Sequence, residues 1–285
     1  MKKTLKVFAA IALLLVVYYL LQLLFVTLSA VLFISVGVSA GTLPAESLEL
    51  IGEIQHSSEN TALAACMVNA RALGIFLSAL SMLFFIHFTG FYKLRWSLLR
   101  SLAPRPLLIS TLLVFSSMFA LNIFVQWFPL EDNLTDIFSG LSRNALGVVG
   151  LAFLAPLLEE VLFRGAIQGA LMRLFGRPWP AIIVAALVFG IFHFNPVQIV
   201  YATLLGIVFG WIYYRTGSLL SVIVGHVLNN SLAVVTTIVF GAGEEQAVAE
   251  SSIGITGFLL FALLSLYLAT QLNKAVPPVG EKTEF

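Results

Sequence analysis

Apolar runs long enough to cross a bilayer alternate along this chain with short polar stretches. A spanning helix needs about 20 predominantly apolar residues. Eight runs qualify, near 5–36, 62–90, 107–129, 145–173, 178–195, 197–214, 218–240 and 253–273. The fifth and sixth are short and separated only by Asn195-Pro196. A tight turn is expected there, with one of the two helices stopping short of a full crossing. The predicted class is an all-α polytopic membrane bundle of about eight transmembrane helices. At the start of the chain, Met1-Lys2-Lys3 and Val38-Ser39-Ala40 imitate the ends of a secretory leader. The run between them exceeds the roughly 7–15 apolar residues of a leader, so a retained first span is expected.

Charge in the connections sets the orientation. Lys2, Lys3 and Lys6 precede the first span, and Glu46, Glu49, Glu53 and Glu59 follow it. The next connections carry Lys93, Arg95, Arg100 and Arg105, then Glu131, Asp132 and Asp136 beside Arg143. Arg173, Arg177 and Arg215 follow, then Glu244, Glu245 and Glu250, and finally Lys274 and Lys282. Under the positive-inside rule this alternation predicts eight spans with both termini cytoplasmic. Composition agrees: 60% of residues are hydrophobic and only 10% charged, against about a quarter charged in a soluble domain. The net charge of +1 gives no reason to expect nucleic acid as a partner. The lone Cys66 excludes an internal disulfide and reads as a small buried apolar residue. No linker divides the chain, so residues 1–285 are expected to form a single integral membrane domain with its polar core at about 145–240.

That core carries charges where they are costly. Asp, Lys or Arg at a helix centre costs about 2.5–3.5 kcal/mol on insertion scales, yet the fourth span reads Leu157-Leu158-Glu159-Glu160-Val161-Leu162-Phe163-Arg164. Glu160 and Arg164 share a helix face and can pair. Glu159 points roughly 100° away and needs a polar cavity or another helix. Candidate partners are His193, at the end of the fifth span, and His226 and Asn230, on one face of the seventh. A carboxylate and an imidazole can hold a water between them and take its proton, producing a nucleophile for a peptide carbonyl. His226 and Asn230 supply donors for the developing oxyanion. Counted along ideal helices, His226 sits on the order of 12 Å from the cytoplasmic end and His193 nearer 22 Å. Convergence therefore requires tilted helices and predicts a water-filled cavity open to the cytoplasm and to lipid.

Glu159-Glu160-xxx-Arg164, Phe189-xxx-His193 and His226-xxx-Asn230 resemble, in order, the three motifs of the CPBP (Abi) intramembrane proteases, relatives of the CAAX prenyl endopeptidases. The likeness covers about 159–230. It implies an eight-helix fold and an endopeptidase of the glutamate type. Glu159 would be the water-activating base, aided by His193. His226 and Asn230 would stabilise the oxyanion, with Glu160 and Arg164 in support. The implied partners are membrane lipids and a peptide or membrane-protein substrate, lipidated in the family's best-known case. A prokaryotic plasma membrane is the expected location.

Three other readings compete. A zinc enzyme would use Glu159, His193 and His226 as ligands with one open position. No His-Glu-x-x-His is present, and no cofactor is expected, zinc being the alternative. Gly37-Val38-Ser39-Ala40-Gly41 spells the serine-hydrolase motif, but that chemistry needs a strand-to-helix elbow. A non-enzymatic transporter or immunity protein would bury the same charges and would add Asn69 and Arg71 of the second span. His56 and His87 are not expected at the site. Trp96, Trp127, Trp179 and Trp211 fit an interfacial belt.

Overall fold

The computed structural model describes residues 2–47, 61–93, 103–241 and 252–276; among these there are helices and no strand. The expected features at Glu49, Glu53, His56, Glu59, Arg95, Trp96, Arg100, Glu244, Glu245, Glu250 and Lys282 lie outside the described residues. Among the described residues nine helices follow in order: α1 Lys2–Ser39, α2 Thr61–Phe88, α3 Pro104–Gln126, α4 Thr135–Ser142, α5 Ala145–Phe175, α6 Pro178–Ile191, α7 Pro196–Thr216, α8 Leu219–Phe240 and α9 Ser252–Ala275.

Seven of these, all but α4 and α6, are long and apolar enough to cross a membrane. The fifth expected span is thus corrected. Helix α6 has 14 residues, and at 1.5 Å per residue about 21 Å falls short of a hydrocarbon core of roughly 30 Å. It ends because Asn195 starts the next helix: its side chain accepts from the Gln198 N–H at 3.2 Å, with Pro196 in the first turn. Helices α6 and α7 pack against each other as a hairpin. The chain therefore returns to the side it left, and the charge alternation survives a partial crossing. The short helix α4 was not anticipated; it packs on α2 and α8.

Proline and glycine set the other boundaries of the core. Pro104 and Pro178 lie in the first turns of α3 and α6, so α3 begins three residues earlier than the apolar run suggests. Gly176 and Gly217 end α5 and α7 at φ 63° and 64°, a conformation that disfavours a side chain. Gly190 lets the α6–α7 hairpin close, because a Cβ there would lie 2.6 Å from the Ile199 carbonyl oxygen.

Helix α5 is the axis of the bundle. It contacts α1, α2, α6, α7 and α8, while α3 packs on α7, α8 and α9. Leu158, Val161, Leu162, Ile167 and Leu171 of α5 are fully buried. Its entry is fixed by Asn144, whose side chain accepts from the Gly147 N–H at 2.9 Å and donates to Asn69 at 2.7 Å. Asn69 thus anchors the start of α5.

Two stretches of α5 are π-helical, Gly150–Leu154 and Glu160–Gln168; such turns are rare and cluster at functional sites. The first has a local cause. The Ala155 N–H donates to the Gly150 carbonyl, and Pro156 has no N–H to offer. Both donors within reach of the Leu151 carbonyl are thereby lost. Asn230 of α8 supplies the replacement, donating Nδ2 to that carbonyl at 3.0 Å. A buried carbonyl left unpaired would cost about 1–3 kcal/mol, so this bond locks α8 to α5 about two turns before the glutamates.

Candidate active site

Glu160 and Arg164 form the buried floor. Arg164 donates Nη1 to Glu160 Oε1 at 2.8 Å, and neither side chain is more than 2% exposed. Arg164 also donates Nη2 to the Gly206 carbonyl at 3.3 Å. One turn on, Gln168 donates Nε2 to the Gly210 carbonyl at 2.9 Å. The missing side chains at Gly206 and Gly210 give both long donors access to the α7 backbone, a packing mode suited to membranes. The guanidinium carbon lies 4.4 Å from the Phe189 ring centroid and 5.0 Å from that of Phe209. Between two rings, a carboxylate and a carbonyl, a fully buried arginine is compensated on every side.

The sequence pairs Glu160 with Arg164 alone; the structure adds His226. Its Nδ1 lies 2.7 Å from the same Glu160 oxygen. A carboxylate only accepts, so Nδ1 carries the proton and the ring orientation is fixed. Nε2 then faces Glu159, 3.6 Å from Oε2. His226 therefore bridges the two glutamates, one contact per ring nitrogen. Glu160 Oε2 is buried without a hydrogen-bond partner among the described residues.

Glu159 occupies a different environment. Its side chain is 17% exposed and borders a cavity of about 220 Å³ lined by Tyr18, Gln22, Glu159, Phe163, Phe192, His193 and Phe194. His193 falls in the turn after α6, which ends at Ile191, within the run expected to be helical. Its Nδ1 lies 2.8 Å from the Phe189 carbonyl. A carbonyl also only accepts, so Nδ1 is the protonated nitrogen and Nε2 of the neutral ring is left as an acceptor on the cavity side. The Phe189 ring stands edge-on to both imidazoles, with centroids 4.9 Å from His193 and 5.9 Å from His226. Asn230 is reached through a chain: Tyr201 donates to Asn229 at 2.6 Å, and Asn229 to Asn230 Oδ1 at 3.0 Å. One amide hydrogen of Asn230 is held by Leu151, leaving one for another acceptor.

The structure thus joins Glu160, Arg164 and His226 in direct contact, sets Glu159 beside His226 and on one cavity with His193, and bonds Asn230 to Leu151 earlier on α5. Sequence reasoning missed the α1 wall of the cavity. The signal was present: Tyr18 and Gln22 are polar residues four apart in a helix that is otherwise almost wholly apolar between Val7 and Val26. It also missed Asn195, which is fully buried and donates to Asp132 at 2.8 Å, tying the turn that carries His193 to the loop before α4.

Among the described residues no three His, Cys, Asp or Glu side chains converge as metal ligands do. Ser39 of the serine-type motif is exposed at the end of α1, with no elbow around it. His87 sits in the last turn of α2 against Phe88, away from the cavity. Tyr92, just past α2, packs on Gly165, where a Cβ would meet its ring at 3.1 Å; burial pushes its phenol above the ordinary value.

Residues 141–232 match the family described as type II CAAX prenyl endopeptidase Rce1-like. No curated protein and no solved structure matches the chain. The matched segment runs from the end of α4 to the Asn230 turn of α8, and so contains every motif residue named above.

Proposed function

Since the segment 141–232 belongs to the Rce1-like family of type II CAAX prenyl endopeptidases, we propose that this integral membrane protein hydrolyses a peptide bond with a water activated by Glu159 and His193. One observation carries the reading. The two side chains line one cavity while Glu160 and Arg164 are sealed behind it. Glu159 offers carboxylate lone pairs there and His193 offers Nε2. A water donating one hydrogen to each would present an oxygen lone pair to a peptide carbonyl.

In the attack step the water oxygen bonds to the carbonyl carbon and its proton passes to Glu159. Electrons of the C=O bond move to oxygen, giving a tetrahedral oxyanion. As an imidazolium, with one proton held by Glu160 at Nδ1 and a second on Nε2, His226 donates Nε2–H to that oxyanion, as does the remaining amide hydrogen of Asn230. Donors of this kind contribute roughly 10²–10³ in rate each. The oxyanion re-forms the C=O bond as the C–N bond breaks, Glu159 returns the proton to the leaving amine, and a carboxylic acid and an amine are released, the acid then passing its proton to the amine to give carboxylate and ammonium. Glu160 acts as positioning residue: it fixes the tautomer and angle of His226, as an aspartate does for the histidine of a catalytic triad.

The test uses purified full-length protein with prenylated and unprenylated peptides, products being read by mass spectrometry. New N-termini are expected, and accumulation of the intact proteins in membranes carrying Glu159→Gln would identify natural substrates. Absence of any cleavage product from the wild type would overturn the reading.

A further inference from the structure

His193 owes its position to a turn with a strained backbone. The next residue, Phe194, sits at φ 52°, and among the described residues it is the one residue other than glycine with a positive φ. A bulky side chain disfavours that region, and such a conformation persists only where its surroundings over-determine it. Two sets of contacts surround the turn. On the α1 side, Phe192 stacks on Tyr18 with ring centroids 5.4 Å apart, and Phe194 lies tilted against Tyr19 at 6.4 Å. Aromatic pairs accept several offset and tilted arrangements, so these rings limit the turn without fixing it. The directional contacts lie elsewhere. Asn195 is 0% exposed and uses both ends of its amide. Oδ1 accepts from the Gln198 N–H at 3.2 Å, and Nδ2 donates to Asp132 Oδ1 at 2.8 Å. The same Asp132 oxygen accepts from the Leu134 N–H at 3.0 Å, so the aspartate is itself held in its loop. Asp132 is exposed and lies outside the matched segment 141–232.

We propose that Asp132 is a positioning residue for catalysis: through Asn195 it holds the strained turn in the conformation that aims His193 Nε2 into the catalytic cavity. The proposal rests on the endopeptidase reading and deepens it. Without the Asp132 oxygen, Asn195 Nδ2 becomes a buried donor lacking this acceptor, which is costly. The amide would rotate to find another acceptor and would give up its cap on the first turn of α7. Phe194 would then be free to leave positive φ. The planar peptide unit that joins His193 to Phe194 turns with that torsion, and the imidazole moves with it. A displacement of about 1 Å at a reacting group can cost on the order of 100-fold in rate. What counts at position 132 is the acceptor oxygen rather than the charge. Both bonds converge on Oδ1, which asparagine also carries.

The experiment measures kcat, KM and melting temperature for full-length wild type, Asp132→Ala and Asp132→Asn in nanodiscs, with the peptides used above. Asp132→Ala should lower kcat by about 10- to 100-fold and leave KM within about two-fold. Asp132→Asn should recover most of that loss. Wild-type kcat in Asp132→Ala, with only the melting temperature lowered, overturns the proposal, as does an Asp132→Asn protein as slow as Asp132→Ala. A second measurement does not depend on cleavage. Nitrogen-15 NMR of the histidine side chains shows which ring nitrogen carries the proton, and the His193 signal is identified by its loss in His193→Gln. Wild type and Asp132→Asn should show a proton on Nδ1, held by the Phe189 carbonyl at 2.8 Å. Asp132→Ala should show a mixture of the two tautomers. If no peptide is cleaved in a Glu159-dependent way, the endopeptidase reading has failed instead. Asp132 is then judged on the His193 signal alone, and an unchanged signal in Asp132→Ala overturns the proposal.

Discussion

Replacing Arg164 by methionine leaves a side chain of related length but removes the guanidinium paired with Glu160. The structure sets the size of the effect. Arg164 gives up an ion pair of 2.8 Å, a hydrogen bond of 3.3 Å to Gly206 and two ring contacts. Glu160 is 0% exposed and would keep a buried charge supported by His226 alone. Breaking one side of such a pair costs about 3–5 kcal/mol. At roughly 2–4 °C per kcal/mol for a chain of this size, the melting temperature in detergent should fall by on the order of 10 °C. Adding Glu160→Gln to Arg164→Met removes the stranded charge and keeps an acceptor for His226 Nδ1. The double variant should therefore be more stable than Arg164→Met by at least about 1 kcal/mol. The assay is thermal unfolding of the two single variants and the double. Additive losses would refute the reasoning, since they would mean that the two side chains do not depend on each other.

Other outcomes follow from the same geometry. Gly190→Ala forces α6 from α7 at the Ile199 carbonyl, and should cost about 1–3 kcal/mol by thermal unfolding and lower kcat by displacing His193. Asn230→Ala frees the Leu151 carbonyl, and a loss of about 1–3 kcal/mol is expected together with a drop in kcat. His193→Ala should reduce kcat by about 10²–10⁴-fold at unchanged melting temperature, as its ring is only partly buried. Dialysis against EDTA should leave peptide cleavage unchanged, because the proposed step activates water with Glu159 and His193 directly; loss of activity restored by zinc would favour the metalloenzyme reading.

Much of the bundle is legible from the chain because the membrane imposes a length on apolar runs. Asn195-Pro196 announces the turn between α6 and α7, since asparagine caps and proline opens a helix. The same logic misplaces the end of α6: Phe192, His193 and Phe194 continue the apolar pattern but form the turn, with Phe194 at φ 52°. The Glu160–Arg164 pair can be read from helical spacing, which is local. The Glu160–His226 contact spans 66 residues and depends on how α8 docks, so no spacing rule reveals it. The π-helical turns are equally hidden, because the first depends on Asn230 of another helix replacing a donor that Pro156 lacks. The depths estimated for His193 and His226 differ by about 10 Å on ideal helices. That estimate could not anticipate Phe189, whose ring touches both.

The division of labour between the adjacent glutamates is the centre of this account, and one comparison tests it most directly. Peptide cleavage and melting temperature are measured for purified Glu159→Gln beside the wild type. Glu159 faces the cavity and carries no buried ion pair with Arg164, so its substitution should lower kcat by about 10²–10⁴-fold with the melting temperature unchanged. Wild-type rates in the Glu159→Gln protein would contradict the assignment of Glu159 as the base.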